Sequence, residues 1–265
     1  MDFGWFKWPR RAEAPQAAQG IESEKREEVS EIEKREKTLE SPEEAVLRSR
    51  KESSTRKIER GICGVIFVEL KDDGQGIFKE EGCQRERAAY LIDRFLGLDM
   101  VPPTVIRQLR NRTGSMQKFI PDAKTGGEVG KKELLEKYRD DLMKMWILDL
   151  IIDNHDRHPA NFLVKDGRIY AIDHHLILSS FDLAPDPLES PTWGYESFWD
   201  EELPVALVDK FKQFLERSNE QALLEELLGE VIGEGVAKIA LQRIKNLGSV
   251  IIEQRMIPKP VKNDF

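Results

Sequence analysis

Apolar positions are unevenly spread along this chain, and their spacing divides it. From Ile21 to Arg50 they are isolated, Val29, Ile32 and Leu39 standing among runs of Glu, Lys and Arg. So thin a stripe builds no core, and residues 21–54 read as a charged helical extension or linker, supported by opposite charges three and four apart. Within it Ser41-Pro42-Glu43-Glu44 looks like a fresh helix start. A folded domain is expected from about residue 55 to the C-terminus.

Gly61-Ile62-Cys63-Gly64 precedes an alternating, β-prone run, Val65 to Leu70. The turn Asp72-Asp73-Gly74 and a second short strand, Gly76 to Lys79, complete a hairpin. Gln84 to Leu96 then sets Ala88, Leu91, Ile92, Phe95 and Leu96 on one helical stripe, with Gly97 as a left-handed cap. Two more strands, Val105–Leu109 and Ser115–Ile120, flank a turn at Asn111–Gly114, and Pro121 stops them. After a flexible Lys124–Gly130, one helix is expected from Lys131 to about Ile152, carrying Leu134, Leu135, Tyr138, Leu142, Met145, Trp146 and Asp149. A further hairpin, an irregular Pro-rich stretch over 180–204 and helices near 204–217, 219–229 and 235–256 follow. The class is α+β: a small lobe of strands plus one helix, then a mainly helical lobe.

Composition narrows the functions. With 41 Lys and Arg against 49 Asp and Glu, the net charge of −8 disfavours broad capture of nucleic acid. Two cysteines, Cys63 and Cys83, make no disulfide framework, and nothing around either marks a reactive thiol. No apolar run has membrane-spanning length and the N-terminus lacks a secretory signal, so a cytoplasmic location is expected. Residues 1–20 mix Phe3, Trp5, Phe6 and Trp8 with Lys7, Arg10 and Arg11. They read as an aromatic and basic tail without structure, peripheral membrane contact being the other reading.

The chemistry concentrates late. All four histidines, His155, His158, His174 and His175, lie within 21 residues, among Asp153, Asp156 and Asp173. If Asp166-Gly167 is a two-residue turn, Val164 faces Ile169, Phe162 faces Ala171, and Asn161 lies diagonally beside Asp173. An amide oxygen and a carboxylate then converge, hard ligands suited to Mg²⁺ completed by phosphate oxygens. Asp156, on the loop before Asn161, is placed to accept a proton from a hydroxyl undergoing phosphorylation.

The spacing is that of a kinase catalytic loop, a base Asp five residues before a metal-binding Asn, with a second metal-binding Asp after the next hairpin. Asp156-Arg157-His158-Pro159-Ala160-Asn161 resembles the signature of the phosphatidylinositol 3-/4-kinase-like superfamily and its HipA-type and Golgi casein-kinase-type relatives. Arg85 through Asp93 and Leu96 through Thr104 resemble the helix and next strand of these kinases, so the likeness spans about residues 57–180. It implies a bilobal kinase fold, the smaller lobe at 55–121 and the larger at 122–265, with the catalytic loop at 153–161. It implies ATP and Mg²⁺ as cofactors. Gly61 and Gly64 would cover the phosphates, Lys79 would reach them, and Glu86 would hold Lys79. Phe119 and Ile120 would line the adenine slot, and Asn161 and Asp173 would bind the metal. Asp156 would be the base, with Arg157 and His158 orienting the loop or meeting phosphate. The acceptor implied is a hydroxyl, with protein Ser or Thr ahead of a phosphoinositide or small polyol.

His174-His175 departs from the Phe-Gly of ordinary protein kinases, and no Ala-Pro-Glu segment follows. Two other functions compete. One is a pseudokinase acting as a nucleotide-binding interaction module. The other is a phosphoesterase of the DHH type, which Asp173-His174-His175 matches in three residues and whose sheet would be parallel.

Overall fold

In a computed structural model, residues 40–58, 64–178, 198 and 201–256 are described, and the elements below all lie in the unit Ser41–Phe265. The expectations for residues 1–39, Gly61, Cys63 and the greater part of the Pro-rich stretch fall outside them.

The first hairpin forms as its alternation requires. β2 (Ile66–Leu70) pairs antiparallel with β3 (Gln75–Lys79), and Asp72 and Asp73 make the turn at φ of 58° and 62°. With β1 (Glu52–Lys57), β4 (Thr104–Leu109) and β5 (Arg112–Lys118) they build an antiparallel sheet in the order β1-β2-β3-β5-β4. The pleat sorts its faces. Val68, Leu70, Phe78, Val105, Leu109 and Met116 form a core on one side, and Ile77, Lys79 and Gln117 line a cleft on the other. The β4–β5 turn sits at Arg110 and Asn111, both left-handed, so the strand already begins at Arg112 rather than after Gly114 as the sequence suggests. Gly114 serves the pairing instead: a Cβ there would lie 2.5 Å from the Lys79 carbonyl oxygen and 2.5 Å from the Phe78 ring.

Two elements lie in the stretch read from sequence as an extension. Helix α1 (Pro42–Ser49) is opened by a reciprocal cap, Ser41 Oγ accepting from the Glu44 amide and the Glu44 carboxylate from that of Ser41. It buries Leu47 in the sheet core and places Glu44, fully buried, between Arg87 at 2.8 Å and Arg94 at 2.7 Å. The helix starts where Ser41-Pro42 announces it, but hydropathy does not show that it docks, because it does so through Leu47, the half-buried Val46 and an ion-pair cluster. Strand β1, Glu-Ser-Ser-Thr-Arg-Lys, buries no residue and joins through its backbone ladder and exposed polar contacts such as Ser54 on Glu69 and Glu52 with Arg110.

Helix α2 (Cys83–Leu96) ends at Gly97 with φ of 63°, the cap its sequence announces. Its residues Glu86 to Asp93 are all buried, so it is covered on every side. β4 packs against it, and so does α7 (Ser218–Ile232), which buries Gln221, Leu224, Leu227 and Leu228. Cys83 is buried and unbridged, and burial pushes its thiol up, in keeping with an idle cysteine.

The second lobe contains β6 (Lys124–Thr125), α3 (Gly126–Val129), α4 (Lys131–Lys137), α5 (Arg139–Ile151), β7 (Phe162–Lys165) and β8 (Arg168–Ala171). It closes with α6 (Val205–Glu216), α7 and α8 (Glu234–Gln254). The flexible stretch expected at 124–130 is structured. Thr125 and Glu128 cap α3 reciprocally, β6 pairs with β7, and Gly126 seats on Phe162, where a Cβ would approach the ring to 2.1 Å. The single helix expected over 131–152 is two, broken at Tyr138 with φ of −121° and ψ of 26°. Phe198 packs edge-on to Trp146 at 4.0 Å between ring centroids. Neither sheet contains a parallel pair among the described residues, which removes the basis of the phosphoesterase reading.

Candidate active site

The β7–β8 hairpin has the expected register. Val164 opposes Ile169 and Phe162 opposes Ala171, and the turn residues Asp166 and Gly167 take φ of 49° and 77°. Ile172 N donates to the Asn161 carbonyl oxygen at 3.1 Å, so Asn161 and Asp173 leave the open end of the hairpin side by side. Both face a cleft of about 850 Å³. Gly64, Lys79, Phe119, Ile120, Asp156, His158, Asn161 and Asp173 all line it, together with apolar Val65, Ile77, Leu163 and Ile172. Residues 94 positions apart thus meet, as the sequence reading requires.

Lys79, at the end of β3, donates to Glu86 Oε1 on α2 at 2.7 Å and to Asp173 Oδ1 at 3.1 Å. Burial works against the ammonium form, but the two carboxylates win and raise the Lys79 pKa. Burial likewise opposes ionisation of Glu86, yet Lys79 and His174 hold its carboxyl down at about 2. The Asp173 carboxyl is lowered in the same way, burial being outweighed by Lys79. A fixed positive charge therefore stands at the cleft floor between two ionised carboxylates.

Behind the cleft lies a polar network that the sequence reading only touched. Arg157, which lines no part of the cleft, is buried and forked onto Asp149, Nε donating to Oδ2 and Nη2 to Oδ1, each at 2.9 Å. It also donates to the carbonyls of Asn161 and, at 2.9 Å, Ile172. Of the two roles open to it, orienting the loop is the one this position allows. Glu86 too is behind the cleft, reaching it only through Lys79. Asn154 donates to Asp149 at 2.8 Å and accepts from the Asp156 amide at 3.0 Å, fixing the loop from its other side. Arg243 of α8 ties Asp153 at 3.2 Å and the Ile151 carbonyl at 2.9 Å. Asp149 was visible in sequence as a carboxylate on an otherwise apolar helical stripe. Arg243 gave no such signal, because its partners lie 90 residues away.

Asn161 Nδ2 donates to Asp156, to the carbonyl at 2.9 Å and to Oδ2 at 3.2 Å. This aims the Asp156 carboxylate and leaves Asn161 Oδ1 without a hydrogen bond. Asp173 Oδ1 is taken by Lys79 and by His175 Nδ1 at 2.7 Å, so Oδ2 is its free oxygen. Two hard oxygen donors remain at the hairpin mouth. No group of three or more His, Cys, Asp or Glu suited to a metal occurs among the described residues. That set fits Mg²⁺, which takes one or two protein groups and fills its shell with water and phosphate. His158 is exposed at the rim, its Nδ1 accepting from the Ala160 amide at 3.2 Å.

Residues 49–232 match the sequence model of the family described as phosphatidylinositol 3- and 4-kinase, over more than half of the chain. The chain belongs to the phosphatidylinositol 3- and 4-kinase family. This is a family of phosphotransferases, and the bilobal fold agrees with it. Phosphatidylinositol 4-kinase gamma 4 of Oryza sativa subsp. japonica is 31% identical over 129 residues, 40% of this chain and 22% of that protein. The chain thus spans about a fifth of the relative's length. Among solved structures, the Golgi casein kinase with Mn/ADP bound aligns with a TM-score of 0.52 and 18% identity, over 78% of this chain and 74% of that one. Hydra Fam20 with sugar aligns at 0.53 and 15%, over 79% and 86%. At such identities these two show the fold.

Proposed function

We propose that this phosphatidylinositol 3- and 4-kinase family member transfers the γ-phosphoryl group of ATP to a hydroxyl in a Mg²⁺-dependent reaction. One observation carries the reading: Lys79, Asp156, Asn161 and Asp173 come together around one cleft, with Glu86 holding Lys79 from behind it. In it Lys79 binds the nucleotide phosphates, and Val65, Ile77, Leu163 and Ile172 offer apolar faces to the base beside Phe119 and Ile120. Asn161 and Asp173 would hold Mg²⁺, which supplies charge neutralisation at the phosphates. Asp156, aimed by Asn161, receives the proton of the attacking hydroxyl. Catalysis is by positioning and fixed charge, without a covalent enzyme intermediate. His158 at the rim is a donor for phosphate. A solved structural neighbour with Mn/ADP bound supports the use of a nucleotide and a divalent metal.

The acceptor class is read by assay. Purified protein is given Mg²⁺ and γ-labelled ATP with a Ser/Thr-rich protein, with phosphatidylinositol vesicles, and with a small polyol. Transfer to one of them, abolished by Asp173→Ala, is the expected result. Nucleotide binding without transfer would make the chain a pseudokinase, and absence of both would overturn the assignment.

A further inference from the structure

Two buried polar atoms among the described residues face each other without a hydrogen bond: Glu86 Oε2 and His174 Nδ1, 3.5 Å apart. Native interiors rarely leave such atoms unpaired, so a pair of them in contact marks an interaction that closes with a small shift. His174 is fully buried, directly after Asp173, where ordinary protein kinases carry phenylalanine. Its second nitrogen, Nε2, lies 3.1 Å from Arg157 Nη2. A guanidinium can only donate, so Nε2 accepts and the imidazole proton sits on Nδ1, directed at Glu86.

The partners on either side are themselves anchored. Arg157 is forked onto Asp149 and grips the carbonyls of Asn161 and Ile172, which fixes the catalytic loop against the hairpin. Glu86 holds Lys79, and Lys79 holds Asp173, the residue preceding His174. Asp149, Arg157, His174, Glu86, Lys79 and Asp173 therefore form one chain of polar contacts that returns to its own backbone. Among the side chains, His174 is the direct link between the arginine of the loop and the carboxylate that holds the lysine, the other connection running through the Ile172–Asp173 backbone.

We propose that His174 is a positioning residue for the phosphoryl transfer inferred above, linking Arg157 of the catalytic loop to Glu86 of α2 so that Asp156 and Lys79 are placed as one unit. The inference rests on the kinase reading, and its first test needs no turnover. With only four histidines in the chain, ¹⁵N-histidine NMR of the purified protein assigns the His174 tautomer. The Nδ1–H form is expected, and Nε2–H would overturn the link. The second test compares variants. His174→Phe keeps a planar aromatic ring and loses both nitrogens, and should lower kcat by about tenfold or more while the KM for ATP stays within about threefold. His174→Gln retains one acceptor and one donor, and should recover to within about threefold of wild type. Wild-type kcat in His174→Phe, or no recovery in His174→Gln, would overturn the proposal. Should His174→Phe fail to fold, the tautomer decides. A wild-type chain that binds ATP without transferring it would sink the kinase reading alone, since the tautomer is still read.

Discussion

At the scale of single residues, the site separates binding from chemistry. Asp156 touches no anchored cation; its contacts are the Asn161 amide and the Asn154 side chain, which aim it. Asp156→Asn is therefore expected to lower kcat by about 10²- to 10⁴-fold, with nucleotide affinity little changed, checked by turnover beside calorimetric ATP titration. Glu86 makes a prediction about pH. Its folded pKa of about 2 lies below the ordinary 4.5, so the stability it contributes is present above 4.5 and lost as pH falls toward 2. Glu86→Gln removes that dependence. Melting curves across this interval should slope less steeply for the variant, and an unchanged slope would contradict the Lys79–Glu86 pairing.

Between residue and lobe stand the elements, and here the sequence was readable where burial is periodic. The stripe on α2 and its Gly97 cap, the alternation of β2, and the Asp166-Gly167 turn each state their conformation locally, and each formed as expected. What hid was whatever docks by charge or by backbone. Helix α1 contributes Leu47 and a carboxylate, and β1 a ladder without a buried side chain. Glu44 tests the first of these. It is fully buried between two arginines, of which Arg94 is 28% exposed, so Glu44→Ala takes from the buried Arg87 its Glu44 carboxylate. Loss of such a partner costs about 3–5 kcal/mol. Chemical denaturation should find the lower end of that range, because water reaches Arg94.

Over the whole molecule, the notable arrangement is the enclosure of α2. The strands cover one side of it, and α7, more than 120 residues later in sequence, covers another. The catalytic constellation was legible because it is compressed into one loop and one hairpin, whereas the enclosure joins segments whose relation no local pattern encodes. It puts the position of Glu86, and through it Lys79, under the control of the C-terminal helices. Leu224→Ala removes a fully buried side chain of α7 without touching the cleft. The expected cost is about 2–5 kcal/mol by denaturant unfolding. Amide exchange in α2 should accelerate along with it, and slow exchange retained there would show that α7 is dispensable to the helix.

Gly82 bears on how such a site changes over generations. It stands at φ of 64° before α2, and a Cβ on it would come within 2.6 Å of the His175 side chain and 2.9 Å of its backbone. Arg85, one turn on, donates to the His175 carbonyl at 3.1 Å. Substitutions at the two positions are consequently ordered in time. Gly82→Ala collides with the Cβ and Cα of residue 175, which alanine would retain, so only His175→Gly made first removes the side-chain part of the clash, and the backbone and φ strain remain. The double variant should be more stable than the sum of the single changes allows, a non-additivity of about 0.5–3 kcal/mol for residues in contact. A lineage that carries any side chain at position 175, histidine or another, thereby holds residue 82 to glycine, however freely the rest of that side chain drifts.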